Sequence, residues 1–390
     1  MEKRIKAFVL PILILLLIVV IVIGWLSFNH SKKNSGVSNI DNEKYKIEYT
    51  NFYEKISKKE DLNYLIIGDS IGQSSGTGDE DYFWFNLLNE KLKKEYNINF
   101  ITTKKITAGG ATSFDGYVNY FPTDIVLAYD LVFICFGQND QSVMSPKDYG
   151  IFYENLIRSI KKNNPKAEIV SLIESSIEDE EFANTAKKLS KRHNTILVDT
   201  RDEFWAGGKT KAEMTVDSIH PTNEGYKIYA DVIFKALKQS IDQKKKPAEL
   251  NKKLMYPDNQ YTKLISSSNF DKNEGFENYS FGDNNYFTSD KKGSYLEKEF
   301  EGNMVGFTLL GTDDSGLINV YIDGELQQQV NPYTAEPREK QIIISNELSK
   351  GKHTIKLEVS GEFGFDYKGK PTKGKSVYIR RIITNDTSEE

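Results

Sequence analysis

Cysteine is nearly absent from this chain. Cys135 stands alone among 390 residues, so no disulfide, iron–sulfur cluster or cysteine-built zinc site forms within one copy. Positive charge is not in excess either. With 51 Lys and Arg against 56 Asp and Glu the formal charge is −5, which leaves no broad basic field for a phosphate backbone and sets nucleic-acid binding aside. There is no internal repeat and no extended low-complexity tract. Histidines number only four, so each can be weighed individually as a general base.

What is present suits a soluble globular protein long enough for two domains: 38% apolar and 27% charged residues. The acidity lies at one end, because residues 261–390 carry 16 basic and 21 acidic residues while the first 260 carry 35 of each. Cys135 falls inside the apolar run Leu131 to Phe136 and reads as a buried, inert thiol.

From Ala7 to Phe28 the chain runs 22 residues without a charge, a length that as a helix covers roughly 33 Å, about one hydrocarbon core. Lys3, Arg4 and Lys6 precede it and Trp25 stands near its far end, which places the N-terminus in the cytoplasm and the rest outside. The run exceeds a signal-peptide core, and no A-x-A-like site follows. Residues 1–28 are therefore expected to be a cytoplasmic tip and transmembrane anchor, and residues 29–60 a polar stalk, helical from about Asn42 to Lys59.

Residues 61–243 alternate short apolar runs with amphipathic stretches, the pattern of a parallel sheet covered by helices. Strands are expected at Asn63 to Ile67, Ile98 to Ile106, Leu131 to Phe136, Glu168 to Ile173 and Thr195 to Val198. Helices are expected at Tyr82 to Tyr96, Lys147 to Lys162, Asp179 to Arg192 and Asn223 to Gln243. The charge run Lys244-Lys245-Lys246-Pro247 opens a polar linker over residues 244–260. Beyond it the apolar period becomes two, as in Val305, Phe307, Leu309 and in Ile355, Leu357, Val359, with turns at Asp323-Gly324 and Lys350-Gly351. Residues 261–390 read as an antiparallel β-sandwich.

Leu65-Ile66-Ile67-Gly68-Asp69-Ser70-Ile71 is an apolar strand running straight into Gly-Asp-Ser, and α/β sheets place active sites at such strand ends. A serine needs a base. His30, His193 and His353 read as solvated surface residues, whereas His220 in Asp217-Ser218-Ile219-His220-Pro221 has a carboxylate three residues back that can orient its ring. Donors for an oxyanion are available in Gly137-Gln138-Asn139-Asp140 after the third strand, through the Asn139 amide. Ala108-Gly109-Gly110-Ala111 after the second strand offers a backbone N–H at glycine. The glycines between Gly72 and Gly78 lack the Lys-Ser/Thr ending of a phosphate loop, and the Asp and His spacing makes no zinc site, so no metal or organic cofactor is implied.

Taken together, Gly68-Asp69-Ser70-Ile71, Gly109, Gly137-Gln138-Asn139-Asp140 and Asp217-Ser218-Ile219-His220-Pro221 resemble the four blocks of the SGNH (GDSL) hydrolase superfamily. The resemblance implies a flavodoxin-like three-layer sandwich with a five-stranded parallel sheet. In it Ser70 is the nucleophile, His220 and Asp217 the base and its orienter, and Ser70 N–H, Gly109 N–H and Asn139 the oxyanion hole. Thr107 stands where the second block often has asparagine and the glycine is doubled, so Gly110 is the alternative to Gly109.

The C-terminal half resembles the jelly-roll modules of carbohydrate esterases, with Tyr286, Phe287, Tyr333, Phe363, Phe365 and Tyr367 as candidate sugar-stacking rings. The resemblance includes both O-acyl esterases and membrane-anchored enzymes that O-acetylate cell-wall polysaccharides with a multispanning membrane acyltransferase, and the tether beside the membrane favours an extracellular, anchored O-acetyltransferase. The alternatives are an O-acetyl esterase of surface glycans and an inactive glycan-binding protein.

Overall fold

The computed structural model describes residues 50–120, 128–261 and 263–385. The expected anchor, His30 and all but the end of the stalk lie outside them, and among the described residues no helix is long and apolar enough to cross a membrane. The first described helix, α1 (Phe52–Lys58), is started by Asn51, whose side chain accepts from Tyr53 and Glu54 N–H.

Five parallel strands follow: β1 (Leu62–Gly68), β2 (Ile101–Thr107), β3 (Leu131–Cys135), β4 (Glu168–Ile173) and β5 (Ile196–Asp199). Their order is β2-β1-β3-β4-β5, the flavodoxin-like arrangement. Alternate residues of one strand feed different cores. Leu65 and Ile67 of β1 join Val132 and Ile134 on one face, while Tyr64 and Ile66 join Phe133 and Cys135 on the other. That division is why the central strands read as continuous apolar runs.

The covering helices are α2 (Trp84–Tyr96), α3 (Ser113–Tyr120), α4 (Pro146–Asn163), α5 (Glu180–His193) and α6 (Asn223–Asp242). Local signals set their ends: Ser145 caps α4 by accepting from Asp148 N–H with Pro146 in the first turn, and Thr222 caps α6 by accepting from Gly225 N–H. Helix α3 has no counterpart in the sequence reading. Its segment, with Gly116 at mid-helix and three aromatic residues, has low intrinsic propensity and is helical because almost all of it is buried.

Residues 244–260 run back over the α/β domain. The backbone N–H groups of Met255 and Tyr256 donate to the buried Glu154 carboxylate at 2.9 Å each, and Arg158 donates to the Asn251 carbonyl at 2.7 Å. Glu154 also meets His193 Nε2 at 2.7 Å, so the solvated reading of His193 is corrected: this imidazole is 4% exposed.

The remaining strands are β6 (Leu264–Ser267), β7 (Lys272–Glu274), β8 (Glu277–Phe281), β9 (Asn284–Ser289), β10 (Tyr295–Glu301), β11 (Val305–Gly311), β12 (Gly316–Ile322), β13 (Glu325–Val330), β14 (Arg338–Ser345), β15 (Lys352–Phe363) and β16 (Val377–Asn385). They form two antiparallel sheets, β13-β12-β15-β10-β7 and β14-β11-β16-β9-β8 with β6 paired to β16, closed over a shared apolar core. His353, expected in solvent, is tucked against Asp323 with Nδ1 2.7 Å from Oδ2.

The sandwich does not stand apart from the α/β layer. Met304, Ile383 and Tyr261 belong to the same apolar cluster as Phe114, Phe152 and Ile134. Polar contacts reinforce it: Asp115 Oδ1 accepts from Gln341 N–H at 2.9 Å, and Asn346 donates to Asp148 at 2.8 Å.

Candidate active site

The end of β1 is squeezed against the end of β3. A Cβ on Gly68 would fall 2.9 Å from the Cys135 carbonyl oxygen and 3.0 Å from the Cys135 Cβ, so only glycine lets the strand pass. The chain then turns, and Asp69 Oδ1 accepts from Ile71 N–H at 2.8 Å, which holds the turn that lifts Ser70 to the sheet edge.

The final loop, entered after the helical turn Lys211–Met214, brings His220 to that serine. Thr215 and Pro221 form an isolated antiparallel bridge, and within the enclosed loop Asp217 Oδ1 accepts from His220 N–H at 2.8 Å and Ile219 N–H at 3.1 Å. Its other oxygen lies 2.6 Å from His220 Nδ1, and His220 Nε2 lies 2.8 Å from Ser70 Oγ. Ser70 and His220, 150 positions apart, are thus joined with Asp217 in one relay. Partial burial alone would raise the Asp217 pKa. The His220 N–H and ring, with the Ile219 N–H, outweigh it and hold the carboxyl below the usual range.

Asn139 follows β3. Its Nδ2 donates to Asp69 Oδ2 at 2.8 Å and to the Ala111 carbonyl at 3.0 Å, so this amide links the Ser70 turn to the loop after β2. Both of its N–H bonds have protein acceptors, and an acyl oxygen entering here competes for one of them. Gly109 sits at the same place, since a Cβ on it would be 4.0 Å from Ser70 Cβ.

Behind Ser70 lies a fully buried cluster that sequence reasoning missed. Glu174, just past β4, accepts from Gln138 N–H at 2.9 Å and from Cys135 Sγ at 3.1 Å. Burial, with Glu174 beside it, pushes Asp69 well above the carboxylate range, and burial also raises Glu174. Burial likewise raises the Cys135 thiol, consistent with its inert reading. Asp69, Cys135 and Glu174 are the one cluster of potential metal ligands among the described residues, but their oxygens are already committed to the turns that hold Ser70 and Asn139. A carboxylate ending an otherwise apolar strand run was the signal available for Glu174.

Arg338, the first residue of β14, was invisible to sequence reasoning. Its Nη1 lies 3.0 Å from the position of a Cβ on Gly109, and its Nη2 lies 2.6 Å from that of a Cβ on Gly110. The doubled glycine is space for a guanidinium delivered by the sandwich.

Of the expected stacking rings, Tyr286 is buried with its hydroxyl on Glu339 and Phe287 packs on the sandwich core, so both leave the set. Phe363, Phe365 and Tyr367 are exposed, Tyr367 by 80%, and Tyr333 meets Tyr367 edge-on at 6.0 Å between ring centroids. Next to the catalytic loop a cavity of about 380 Å³ is lined by Ser175, Ile177, Trp205, Lys211 and Ser218.

Comparison with known proteins bears on the two domains. Residues 66–228 match the GDSL-like Lipase/Acylhydrolase family, and residues 281–366 match the Carbohydrate esterase 2 N-terminal family. No curated protein matches the chain. Among solved structures, a two-domain esterase (CEX) active on acetylated mannans superposes with a TM-score of 0.67 at 19% identity, covering 85% of this chain and 93% of its own. The same enzyme co-crystallised with mannopentaose gives a TM-score of 0.66 at 19% identity over 86% and 94% of the two chains. Both share the two-domain fold. The chain thus carries a GDSL-like lipase/acylhydrolase domain over residues 66–228, the domain of a carboxylic-ester enzyme, and a carbohydrate esterase 2 N-terminal domain over residues 281–366.

Proposed function

We propose that this protein is an O-acetyl esterase that removes acetyl groups from a polysaccharide through an acyl-enzyme on Ser70. The observation that carries the reading is the continuous Ser70–His220–Asp217 relay, at 2.8 and 2.6 Å, beside the Gly109 turn. Ser70 Oγ attacks the acetyl carbonyl while its proton passes to His220 Nε2, and Asp217 stabilises the imidazolium that forms. Ser70 N–H, Gly109 N–H and Asn139 face the negative charge on the acyl oxygen. Collapse expels the sugar oxygen, which takes the proton from His220. Water, deprotonated by His220, then releases acetate and restores Ser70.

A glycan substrate is supported by the carbohydrate esterase 2 match, by the acetylated-mannan activity of the two-domain esterase of the same fold, and by the exposed Phe363, Phe365 and Tyr367 rings. The test is hydrolysis of an activated acetyl ester and of acetylated mannan and xylan by wild type and Ser70→Ala. Wild type should release acetate from ester and glycan, with Ser70→Ala lower by at least about 1,000-fold. Equal turnover in both proteins would remove Ser70 as nucleophile.

The uncharged stretch from Ala7 to Phe28 favours a second reading, in which the protein is an anchored extracellular O-acetyltransferase supplied by a multispanning membrane partner. A sugar hydroxyl then replaces water as acceptor. Acetyl transfer to added wall polysaccharide at the expense of free acetate would establish it, whereas acetate release unaffected by added glycan would establish the esterase.

A further inference from the structure

The site holds a cation that the relay does not use. The Arg338 guanidinium is half-buried over Gly109 and Gly110, on the loop that faces Ser70, yet among the described residues its side chain makes no hydrogen bond and no ion pair. Asp115 is the carboxylate whose charge reaches it, but Asp115 is spent elsewhere: Oδ1 accepts from Gln341 N–H, and Oδ2 accepts from Thr112 N–H and Oγ1 at 2.9 and 2.8 Å. Burial moreover pushes the Asp115 carboxyl up, which weakens its countercharge. Lys340, two residues along the same strand, adds a second cation facing Arg338 and Asp115. Two cations therefore share one over-committed acid beside the nucleophile, and a desolvated guanidinium without a partner is costly unless a ligand supplies one.

The surroundings point to a glycan-borne ligand. Gly311 pairs with Arg338 across β11 and β14, and a Cβ on Gly311 would be 2.4 Å from the Pro332 carbonyl oxygen. The neighbouring Asn331 donates to the Phe365 carbonyl at 2.7 Å and accepts from Phe365 N–H at 3.3 Å. The loop that leads to Arg338 is thus stitched to the exposed rings, so one polymer can lie on the rings and present a charged substituent to the guanidinium.

We propose that Arg338 is a specificity residue that pairs with an oxyanionic group, a carboxylate or a phosphate, on the acetylated glycan close to the scissile ester. The proposal rests on the esterase reading for its substrate and on the sandwich for its residue. No covalent step involves Arg338: it binds the anion bidentately through its two Nη groups and so selects which acetyl ester is seated on Ser70.

The experiment compares three probes: a glucuronate-bearing acetylated xylo-oligosaccharide, its carboxyl-reduced counterpart, and an acetylated oligosaccharide bearing glycerol phosphate. The measured quantity is the ratio of kcat/KM for each acidic probe over the neutral one, which cancels any general loss of activity. Wild type should favour an acidic probe, and the higher of the two ratios identifies carboxylate or phosphate. Arg338→Gln should lower that ratio on the order of 10- to 100-fold, with Arg338→Lys between. A ratio near one in wild type, or one unchanged by both variants, would overturn the proposal. Binding of the same probes to Ser70→Ala protein decides it independently of turnover. Acidic binding that weakens with salt, and is lost with Arg338→Gln in the Ser70→Ala background, supports the anion site even should no ester be hydrolysed. Salt-insensitive, equal binding of acidic and neutral probes would refute it.

Discussion

At the scale of single residues, the site depends on side chains whose two ends do different work. Asp217 spends one oxygen on the backbone N–H groups of Ile219 and His220 and the other on the imidazole, so one carboxylate both shapes the loop and aims the base. Asn139 similarly ties the Ser70 turn to the loop after β2 through its side-chain amide, the group proposed to donate to the acyl oxygen. Replacing Asn139 by alanine should lower kcat on an acetyl ester on the order of 100- to 1,000-fold. An unchanged kcat would reject the oxyanion role. That Ser70, Asp217 and His220 meet was legible in the sequence because each stands in a short motif of local spacing. The solvated reading of His193 was not borne out, because nothing near it announces that Glu154, from another helix, encloses it.

At the scale of elements, the junction of α3 with the loop after β3 sets the position of Asn139. Asp140 Oδ1 accepts from Ser113 N–H at 2.8 Å and Ser113 Oγ at 2.6 Å, so the start of α3 is anchored to the residue following Asn139. Burial lifts the Asp140 pKa to about 7, against the opposing pull of the Ser113 hydroxyl and N–H. Its folded value therefore lies above an unfolded value of about 3.9. The folded state binds the extra proton between those values, so Asp140 contributes most below about pH 4 and its contribution is lost as pH rises through about 7. The melting temperature of wild type relative to Asp140→Asn should fall between pH 4 and 7 and level off above. A difference independent of pH would show that Asp140 does not titrate there. Helix α3 itself escaped the sequence reading because its helicity is imposed by burial rather than by propensity or caps.

On the scale of the whole molecule, the sandwich and the α/β layer share apolar packing instead of meeting at a polar surface. Phe114 of α3 is fully buried, packs against Phe152 with ring centroids 4.8 Å apart, and lies 3.0 Å from where a Cβ on Gly306 of the sandwich would be. Calorimetry of residues 50–390 should accordingly show one cooperative unfolding transition. Phe114→Ala should destabilise it by about 3–5 kcal/mol through the cavity left behind. Two separate transitions in wild type, with Phe114→Ala shifting only one, would mean that the domains unfold independently.

By itself, the sequence pointed to the parallel sheet, to the alternating strands that follow it, and to Ser70, His220 and Asp217 as side chains that meet. Apolar period and short motif spacing are consequences of local geometry, which a chain carries wherever it folds. Only the tertiary structure decided that Glu174 and Asp69 are buried together beside the Ser70 turn, and that the doubled glycine makes room for Arg338. Those relations join residues brought together by sheet packing and domain docking. Their energies, desolvation above all, depend on what surrounds a group in space and leave no periodic trace along the chain.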